Sequence, residues 1–320
     1  MKLQTDNFIN DLERWAKAYK NQIIALSYSV NTIELYSRAV DQFIEYSLQY
    51  QDEMSMQDIK SIYITGFLSF LEEEARSRGK RIKNGLYLSK STKITYLKAI
   101  KGFFTFISDN NDELYTYDRY FKNIKVADSS KSEEKIVYLS EEEIGRLLNV
   151  LEREKSKKGT YGTYRNALIV KLMLYAGLRV SEALKLKIED FKEGENPKTY
   201  KIDIYGKGGK NQKAFIIKSH IEEELEYFKR ILKDDDLIMK TKKGNLWNRS
   251  NAFEVVNNLY IKAKIYNKKG LHLLRHTLAM RLTQRKISPL TIMKILRHSN
   301  IATTTIYAKA TQENINNALV

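Results

Sequence analysis

Residues 128–135 read DSSKSEEK, and this polar stretch constrains the fold of the chain more than any other feature. It has no apolar periodicity and therefore nothing to bury, which is typical of a segment that connects two domains. The chain has 320 residues, which is also longer than one domain usually needs. We therefore predict two domains, at residues 1–127 and 137–320, joined by a linker at residues 128–136.

Basic residues are distributed unevenly between these two parts. Residues 1–127 contain 18 Lys and Arg against 16 Asp and Glu, a net charge of +2, so the rest of the chain carries +14 of the total of +16. Such an excess attracts polyanions, with nucleic acid first and an anionic membrane surface second. We expect the second part to supply most of the long-range attraction.

Three absences narrow the class of protein. The sequence contains no cysteine, which excludes disulfide bonds, thiolate zinc sites and cysteine nucleophiles. The first residues carry charges throughout and have no apolar segment of the kind found in secretory signals. No apolar run approaches the ~18 residues that a membrane helix needs. We expect a cytoplasmic protein that does not enter the membrane.

The first domain is predicted to be a compact helical bundle. The chain has 14 Gly and only 2 Pro, a composition that suits helices. Apolar residues recur at helical spacing after Asn31, after Ser55, and again after Ser91. Ser55 with Asp58 predicts the capped start of the second of these helices.

The second domain combines helices with a single hairpin, so the fold is expected to be mainly α with a small β-sheet. Ser140 and Glu143 form a capping box. Apolar residues alternate within 199–218 around a glycine-rich turn, which predicts a hairpin with a basic tip. The further helices are predicted at 163–176, ending before Gly177, and around 251–263, 272–284 and 289–296.

Two candidate functional groups lie in the first half of this domain. Arg179 and Glu182 are three residues apart on one helical face, as in an ordinary surface ion pair or in a guanidinium that a carboxylate orients toward phosphate. Lys207 lies at the hairpin tip, where it is either a solvated charge or an ammonium that delivers a proton to a leaving alkoxide. Lys210 and Lys213 are competitors for that role.

The other candidates lie nearer the end of the chain. His272 and Arg275 share a helical face and suit a phosphate clamp or a structural histidine, whereas a zinc helix is excluded because no Glu follows His272. His298 suits a helix end or a phosphate contact. Tyr307 is one of 21 tyrosines and carries no signal by itself. The acidic run 234–236 predicts a solvated turn rather than a metal site.

The order of these motifs is more specific than any one of them. AGLRVSEAL, GKGGK, HLLRHTLA and LRHSNIATTTIYA occur in that order and resemble the tyrosine recombinase (phage integrase) family, Xer-type chromosome-dimer recombinases above all. The resemblance implies an N-terminal helical core-binding bundle of SAM-like type and a C-terminal α+β catalytic domain, which together form a C-shaped clamp on DNA. The sequence departs from the family at Arg297, where Gly is common, so the turn there differs or gains a phosphate contact.

The resemblance implies a metal-independent and ATP-independent DNA strand transferase with no cofactor. Tyr307 would attack the phosphodiester and form a 3′-phosphotyrosyl bond. The implied roles of the other residues are charge stabilisation by Arg179, Arg275 and His298, proton donation to the 5′-oxygen by Lys207, assistance to proton transfer by His272, and orientation of Arg179 by Glu182.

The resemblance also implies partners. These are a double-stranded DNA recombination site and either a homotetramer on two sites or a heterotetramer with a sister recombinase, with or without a DNA translocase. A C-terminal helix at 311–320 would dock on a neighbouring protomer, or on its own domain.

The sequence is compatible with several hypotheses for the biological role. Xer-type chromosome-dimer resolution during cell division is the first, and integration or transposition by a phage or mobile element is the second. An architectural DNA-binding protein with vestigial catalysis and a relaxing topoisomerase are the rivals from other classes.

Overall fold

Helices make up most of the structure, and one small antiparallel sheet completes it. The computed structural model describes residues 1–50, 53–79, 87–127, 136–205, 211–241 and 244–298. Contacts between α-carbons divide the chain into two compact units, Met1–Glu133 and Glu134–Val320. The predicted linker at 128–136 lies, except for Ile136, outside the described residues.

The described part of the first unit is helical, as predicted. Its helices are α1 Phe8–Ala25, α2 Val30–Ser47, α3 Ser61–Ser77, α4 Lys90–Asn110 and α5 Asp118–Phe121. Their buried faces meet in one core that is rich in aromatic rings, and Phe43 packs edge-on against Phe67 and Phe104 with ring centres 5.2 and 5.4 Å apart. Such edge-to-face pairs add to the free energy that burial of the rings supplies.

The helix starts in this unit differ from prediction by a few residues. Ser29 and Ser89 cap α2 and α4 with their hydroxyls. Helix α2 begins at Val30, two residues before the predicted start at Thr32, and α4 begins at Lys90, one residue before the predicted start near Ser91. The predicted start at Ser55 is wrong, because Ser55 caps a single 3₁₀ turn at Met56–Asp58 and α3 begins only at Ser61. Helix α1 was not predicted.

The second unit contains both helices and the sheet. Its described elements are α6 Glu141–Lys158, α7 Tyr161–Tyr175, α8 Val180–Ala183, β1 Phe191–Glu193, β2 Thr199–Tyr205, β3 Asn211–Ile217, α9 Glu222–Lys229, α10 Arg249–Lys262, α11 His272–Gln284 and α12 Pro289–Leu296. The capping box of Ser140 and Glu143 opens α6 as predicted, and Ser288 caps α12 with Pro289 in its first turn. Strand β1 and helix α9 were not predicted.

The predicted hairpin is confirmed as the β2–β3 pair. The two strands are antiparallel from Thr199 opposite Ile217 to Tyr205 opposite Asn211, and β1 adds a short third strand beside β2. The tip at 206–210, which carries Lys207, lies outside the described residues.

Helix α7 forms the centre of this unit. Every side chain from Ala167 to Leu174 is buried, because this segment is apolar except for the ion-paired Lys171 and other elements cover it. In the part of the chain that the structure describes, no helix combines the length and the apolar character needed to cross a membrane.

The chain leaves α7 through Gly177, where two neighbouring elements approach closely. Gly177 has a φ of +60°, and a β-carbon there would lie 2.8 Å from the Leu296 side chain and 2.9 Å from that of Leu278. Only glycine avoids both the backbone strain and the overlap. This close approach brings the loop before Arg179 against the end of α12.

Candidate functional site

Arg179 and Glu182 form the predicted pair at the start of α8. Arg179 is the residue before the helix, and its main-chain N–H donates to Glu182 Oε2 at 2.8 Å while its Nη1 donates to Oε1 at 2.7 Å. The Glu182 side chain is 7% exposed and that of Arg179 is 36% exposed. The carboxylate is therefore internal, and the guanidinium it holds reaches the surface.

The charge of Glu182 is maintained by its neighbours. Burial raises the pKa of this carboxyl, but the Arg297 guanidinium and the hydrogen bonds from Arg179 lower it by more, and the pKa lies below its ordinary value. Glu182 is thus ionised at neutral pH and can orient a cation.

Arg275 connects three elements at the same place. It lies on α11, is 4% exposed, and donates from Nη1 to the Gly177 carbonyl and from Nη2 to the Leu296 carbonyl. The first acceptor belongs to the loop before Arg179, and the second ends α12. Arg275 therefore ties this loop to the segment that leads to His298.

Partial burial and the charges of nearby arginines lower the pKa of His298 and His272. His298 follows α12, and its N–H donates to the Met293 carbonyl at 3.0 Å. Partial burial, and then the charges of Arg275 and Arg179, lower the pKa of His298 to about 4. The imidazole is therefore neutral at physiological pH and can still donate one hydrogen bond.

His272 lies on the exposed side of α11, one turn from Arg275. Partial withdrawal of its ring from solvent, followed by the charges of Arg249 and Arg275, lowers its pKa. The structure thus brings together Arg179, Glu182, Arg275 and His298, with His272 beside them. Lys207, Tyr307 and the predicted helix at 311–320 lie outside the described residues.

Sequence reasoning missed a basic cleft of about 400 Å³ next to His272. Its lining includes Arg249 from α10, the Lys268–Gly270 segment and both histidines of α11. The run Lys268-Lys269-Gly270 just before His272 is the signal that could have predicted it. A cleft of this charge suits a polyanion.

For Arg297 a different turn or a phosphate contact was predicted, and the structure shows an unchanged type of turn and a side chain that faces inward. Its backbone is left-handed, with a φ of +54°, so the turn after α12 has the conformation that suits glycine. Its side chain is 5% exposed and donates inward to Glu182 and to the Gly177 carbonyl, at 3.0 Å each.

This arrangement suits binding of a tetrahedral oxyanion. A partly exposed guanidinium, a second arginine held by carbonyls and a neutral imidazole offer several donors in fixed positions. The donors are held by internal contacts before any ligand arrives, so little reorganisation is needed when charge develops on a bound group.

A separate acidic cluster in the second unit is already occupied by lysines. Carboxylate oxygens of Glu152, Glu223 and Glu224 lie within 4.8 Å of one another. Lys155 pairs with all three, at 2.5 to 2.8 Å, and Lys171 pairs with Glu152 and Glu224. These contacts make the cluster an ion-pair network.

The predicted solvated turn at 234–236 is also observed, with Asp236 paired to Lys240 at 2.7 Å.

Acid is expected to destabilise the protein before its carboxylates titrate. The four histidines of the chain, His220, His272, His276 and His298, all have lowered pKa values, through partial burial and then neighbouring charges. Below about pH 6.5 the unfolded chain therefore binds more protons than the folded one, and the free energy of unfolding falls as the pH drops toward 4. Melting temperatures between pH 7.5 and 4.5 measure this effect.

The variant His298→Gln is the control for this pH dependence. It removes the histidine whose pKa is lowered to about 4, so its melting temperature is expected to fall less steeply between pH 6.5 and 5 than that of the wild type. Identical slopes for the two proteins would contradict the assignment of a depressed pKa to His298.

The sequence matches one protein family and is similar to recombinases of that family. The sequence profile described as the phage integrase family matches residues 137–314. The tyrosine recombinase XerH of Campylobacter jejuni is 32% identical over 225 residues, covering 69% of this chain and 62% of that protein. XerH of Helicobacter pylori is 30% identical over 240 residues, covering 72% of this chain and 65% of that protein. The matches thus span less than two thirds of the length of these two relatives.

Solved structures show the same fold. XerH bound to its difH substrate in a pre-cleavage complex superposes with a TM-score of 0.75 at 23% identity, over 96% of this chain and 94% of that one. A post-cleavage complex of XerH with palindromic difH also gives a TM-score of 0.75, at 26% identity, over 97% of this chain and 84% of that one.

Proposed function

Because the chain belongs to the phage integrase family, we propose that it is a site-specific tyrosine recombinase, which cuts and rejoins DNA strands. One observation carries the proposal: the Arg179–Glu182 pair, Arg275 and His298 come from three separate parts of the sequence and meet around the close contact between Gly177 and α12. A surface ion pair or a lone structural histidine would not require this convergence.

The proposed reaction is a transesterification at a DNA phosphodiester. The Tyr307 oxygen attacks phosphorus, a 3′-phosphotyrosyl bond forms, and the bond to the 5′-oxygen breaks. Lys207 supplies the proton that the 5′-oxygen takes up, and His272 assists transfer of the proton that Tyr307 loses. One ester replaces another, so attack by a 5′-hydroxyl reverses the step without input of energy.

Stabilisation of the transition state is the role proposed for the described residues. Negative charge grows on the non-bridging oxygens as the phenol attacks. The guanidiniums of Arg179 and Arg275 and the neutral ring of His298 donate hydrogen bonds to these oxygens. A donor of this kind contributes about 10²- to 10³-fold to a rate. Glu182 holds Arg179 in orientation.

The proposed substrate is a double-stranded recombination site, bound by a tetramer that joins two such sites. Several relatives are Xer recombinases, and XerH was solved on difH DNA, which supports Xer-type recombination such as chromosome-dimer resolution. Integration of a phage or mobile element is the alternative use of the same chemistry. A sister recombinase or a DNA translocase could participate in either case.

Trapping of a covalent intermediate tests the proposal. The protein is first used to select its preferred sequence from a pool of random duplexes. The sequence recovered is then synthesised with single nicks near its centre, so that a short cleaved fragment diffuses away and religation is prevented. We expect an adduct that survives denaturation and that peptide mapping places on Tyr307. Selective binding without any adduct would instead favour an architectural DNA-binding protein.

A further inference from the structure

Arg297 has a backbone conformation that a long side chain does not favour. It follows α12 with a φ of +54° and a ψ of +45°, the left-handed region in which a β-carbon crowds the neighbouring carbonyl. Glycine would be the unstrained choice, and it is common at this position in the family. The hydrogen bonds of the Arg297 side chain offset this backbone strain.

Those contacts are internal. The Arg297 guanidinium donates from Nη2 to Glu182 Oε2 and to the Gly177 carbonyl, at 3.0 Å each, and from Nη1 to the Ile295 carbonyl at 2.9 Å. Its side chain is 5% exposed, against 36% for Arg179. All of these acceptors are groups of the protein, so the Arg297 guanidinium is used internally.

Arg297 also reaches Arg179 along two routes. Through its side chain it holds one oxygen of Glu182, whose other oxygen accepts from Arg179 Nη1 at 2.7 Å. Through its main chain it accepts directly from Arg179 Nη2 at 3.0 Å. Both ends of the Arg179 fork are thus fixed by groups that Arg297 either provides or holds.

The net charge of Arg179, Glu182 and Arg297 also supports a role of Arg297 in phosphate binding by Arg179. A single carboxylate paired only with Arg179 would cancel the charge that a phosphate needs to meet. Here two guanidiniums share Glu182, so the group of Arg179, Glu182 and Arg297 keeps a net charge of +1. The exposed member is Arg179, and the surplus charge is therefore available on the side that faces solvent.

We infer that Arg297 is a positioning residue for the proposed cleavage reaction: it braces Glu182 and the Arg179 guanidinium from inside the protein and keeps this group cationic. The inference rests on the proposed function. The family commonly has glycine at this position. In this chain, Arg297 orients the groups that bind the scissile phosphate.

The variants Arg297→Gly and Arg297→Lys test the inference. Glycine removes the brace and suits the left-handed backbone, whereas lysine keeps the charge and the backbone strain but cannot span two acceptors. We expect the single-turnover rate of adduct formation on the selected nicked duplex to fall about tenfold or more in both variants. The Kd for the same duplex, unnicked, is expected to stay within about twofold because the Arg297 side chain is hydrogen-bonded to groups of the protein.

Arg165→Lys is the matched control for an effect on stability alone. Arg165 is also buried in the second unit, where it donates to the Lys240 carbonyl and to Asn166 and lies over the Trp247 ring. These partners lie outside the candidate site. We expect this variant to have a lower melting temperature and an unchanged rate of adduct formation well below that temperature. An equal loss of rate in Arg165→Lys would show that the slower adduct formation of the Arg297 variants results from impaired folding.

A duplex that is uncharged at the cleaved linkage distinguishes a positioning role from a structural one. Loss of stability alone would lower the rate of adduct formation equally on the charged and the uncharged linkage. In a duplex with a methylphosphonate at the cleaved linkage, one charged oxygen is replaced by methyl, so orientation of Arg179 matters less. The rate ratio of wild type to Arg297→Gly is expected to approach 1 on this duplex. An equal ratio on both duplexes, or a wild-type rate for Arg297→Gly on the ordinary one, would overturn the role of Arg297 while leaving the recombinase proposal intact.

Failure of the recombinase proposal has a different signature, since the wild type itself would then form no adduct. In that case the brace is tested by a crystal structure of Arg297→Gly. We expect the 2.7 Å contact between Arg179 Nη1 and Glu182 Oε1 to lengthen or the Arg179 fork to turn. An unchanged Arg179 fork would exclude the brace.

Discussion

Replacement of Tyr307 by Phe is expected to abolish covalent attachment of the protein to DNA. The phenol oxygen is the proposed nucleophile, and no other group in the mechanism forms a bond to phosphorus. Removing a covalent nucleophile lowers rates by about 10⁴-fold or more. The measurement is the yield of denaturation-resistant adduct on the selected nicked duplex after a single turnover. Affinity for the unnicked duplex is expected to be unchanged, because the charges that hold DNA are all retained.

The matched control for this variant is Tyr266→Phe. Tyr266 belongs to the same unit and is 71% exposed, so it is a phenol that DNA could reach. We expect Tyr266→Phe to form the adduct at the wild-type rate. An adduct in Tyr307→Phe that equals the wild-type yield would refute the assignment of the nucleophile.

Replacement of Glu182 by Ala is expected to lower the free energy of unfolding by several kcal/mol, about 3–5. Glu182 is the carboxylate between Arg179 and Arg297, and the Arg297 side chain is 5% exposed. Removing one partner of a buried ion pair leaves an uncompensated charge and costs about 3–5 kcal/mol. For a unit of this size such a loss lowers the melting temperature by on the order of 10 °C. Chemical denaturation and thermal melting measure it.

A surface glutamate of the same unit supplies the control for Glu182. Glu189 is paired with Lys187 at 2.9 Å, and its side chain is 46% exposed. Because solvent screens such a pair, Glu189→Ala is expected to change the free energy of unfolding by less than about 1 kcal/mol. Equal destabilisation by the two variants would show that the Glu182 site is not internal in solution.

Local sequence patterns predicted most of the elements of the fold. The capping box of Ser140 and Glu143 marked the start of α6, and alternation of apolar residues marked the β2–β3 hairpin. These signals succeed because each depends on residues within one turn of helix or along one strand. The error at Ser55 has the same origin, since a capping pattern does not tell whether one turn or a whole helix follows.

The candidate site was predicted only as a set of separate residues. The sequence named Arg179, Glu182, Arg275 and His298, and the structure brings these four together. At Arg297 the sequence predicted a different turn or a phosphate contact, whereas the structure shows the left-handed turn that suits glycine and a side chain that donates inward. The acceptors, Glu182 and Gly177, lie 115 and 120 residues away in the sequence, so no local pattern could predict them.

The sequence by itself therefore determined the helices and the hairpin, the motifs that place the chain in its family, and the candidate residues, because local periodicity, capping and motif order are properties of neighbouring residues. Only the tertiary structure decided how the arginines are used. Gly177 lets α12 approach the loop before Arg179, and this approach buries Arg297 against Glu182 while leaving Arg179 at the surface. Burial then separates two chemically identical guanidiniums, one as an internal brace and the other as the group that can meet a phosphate.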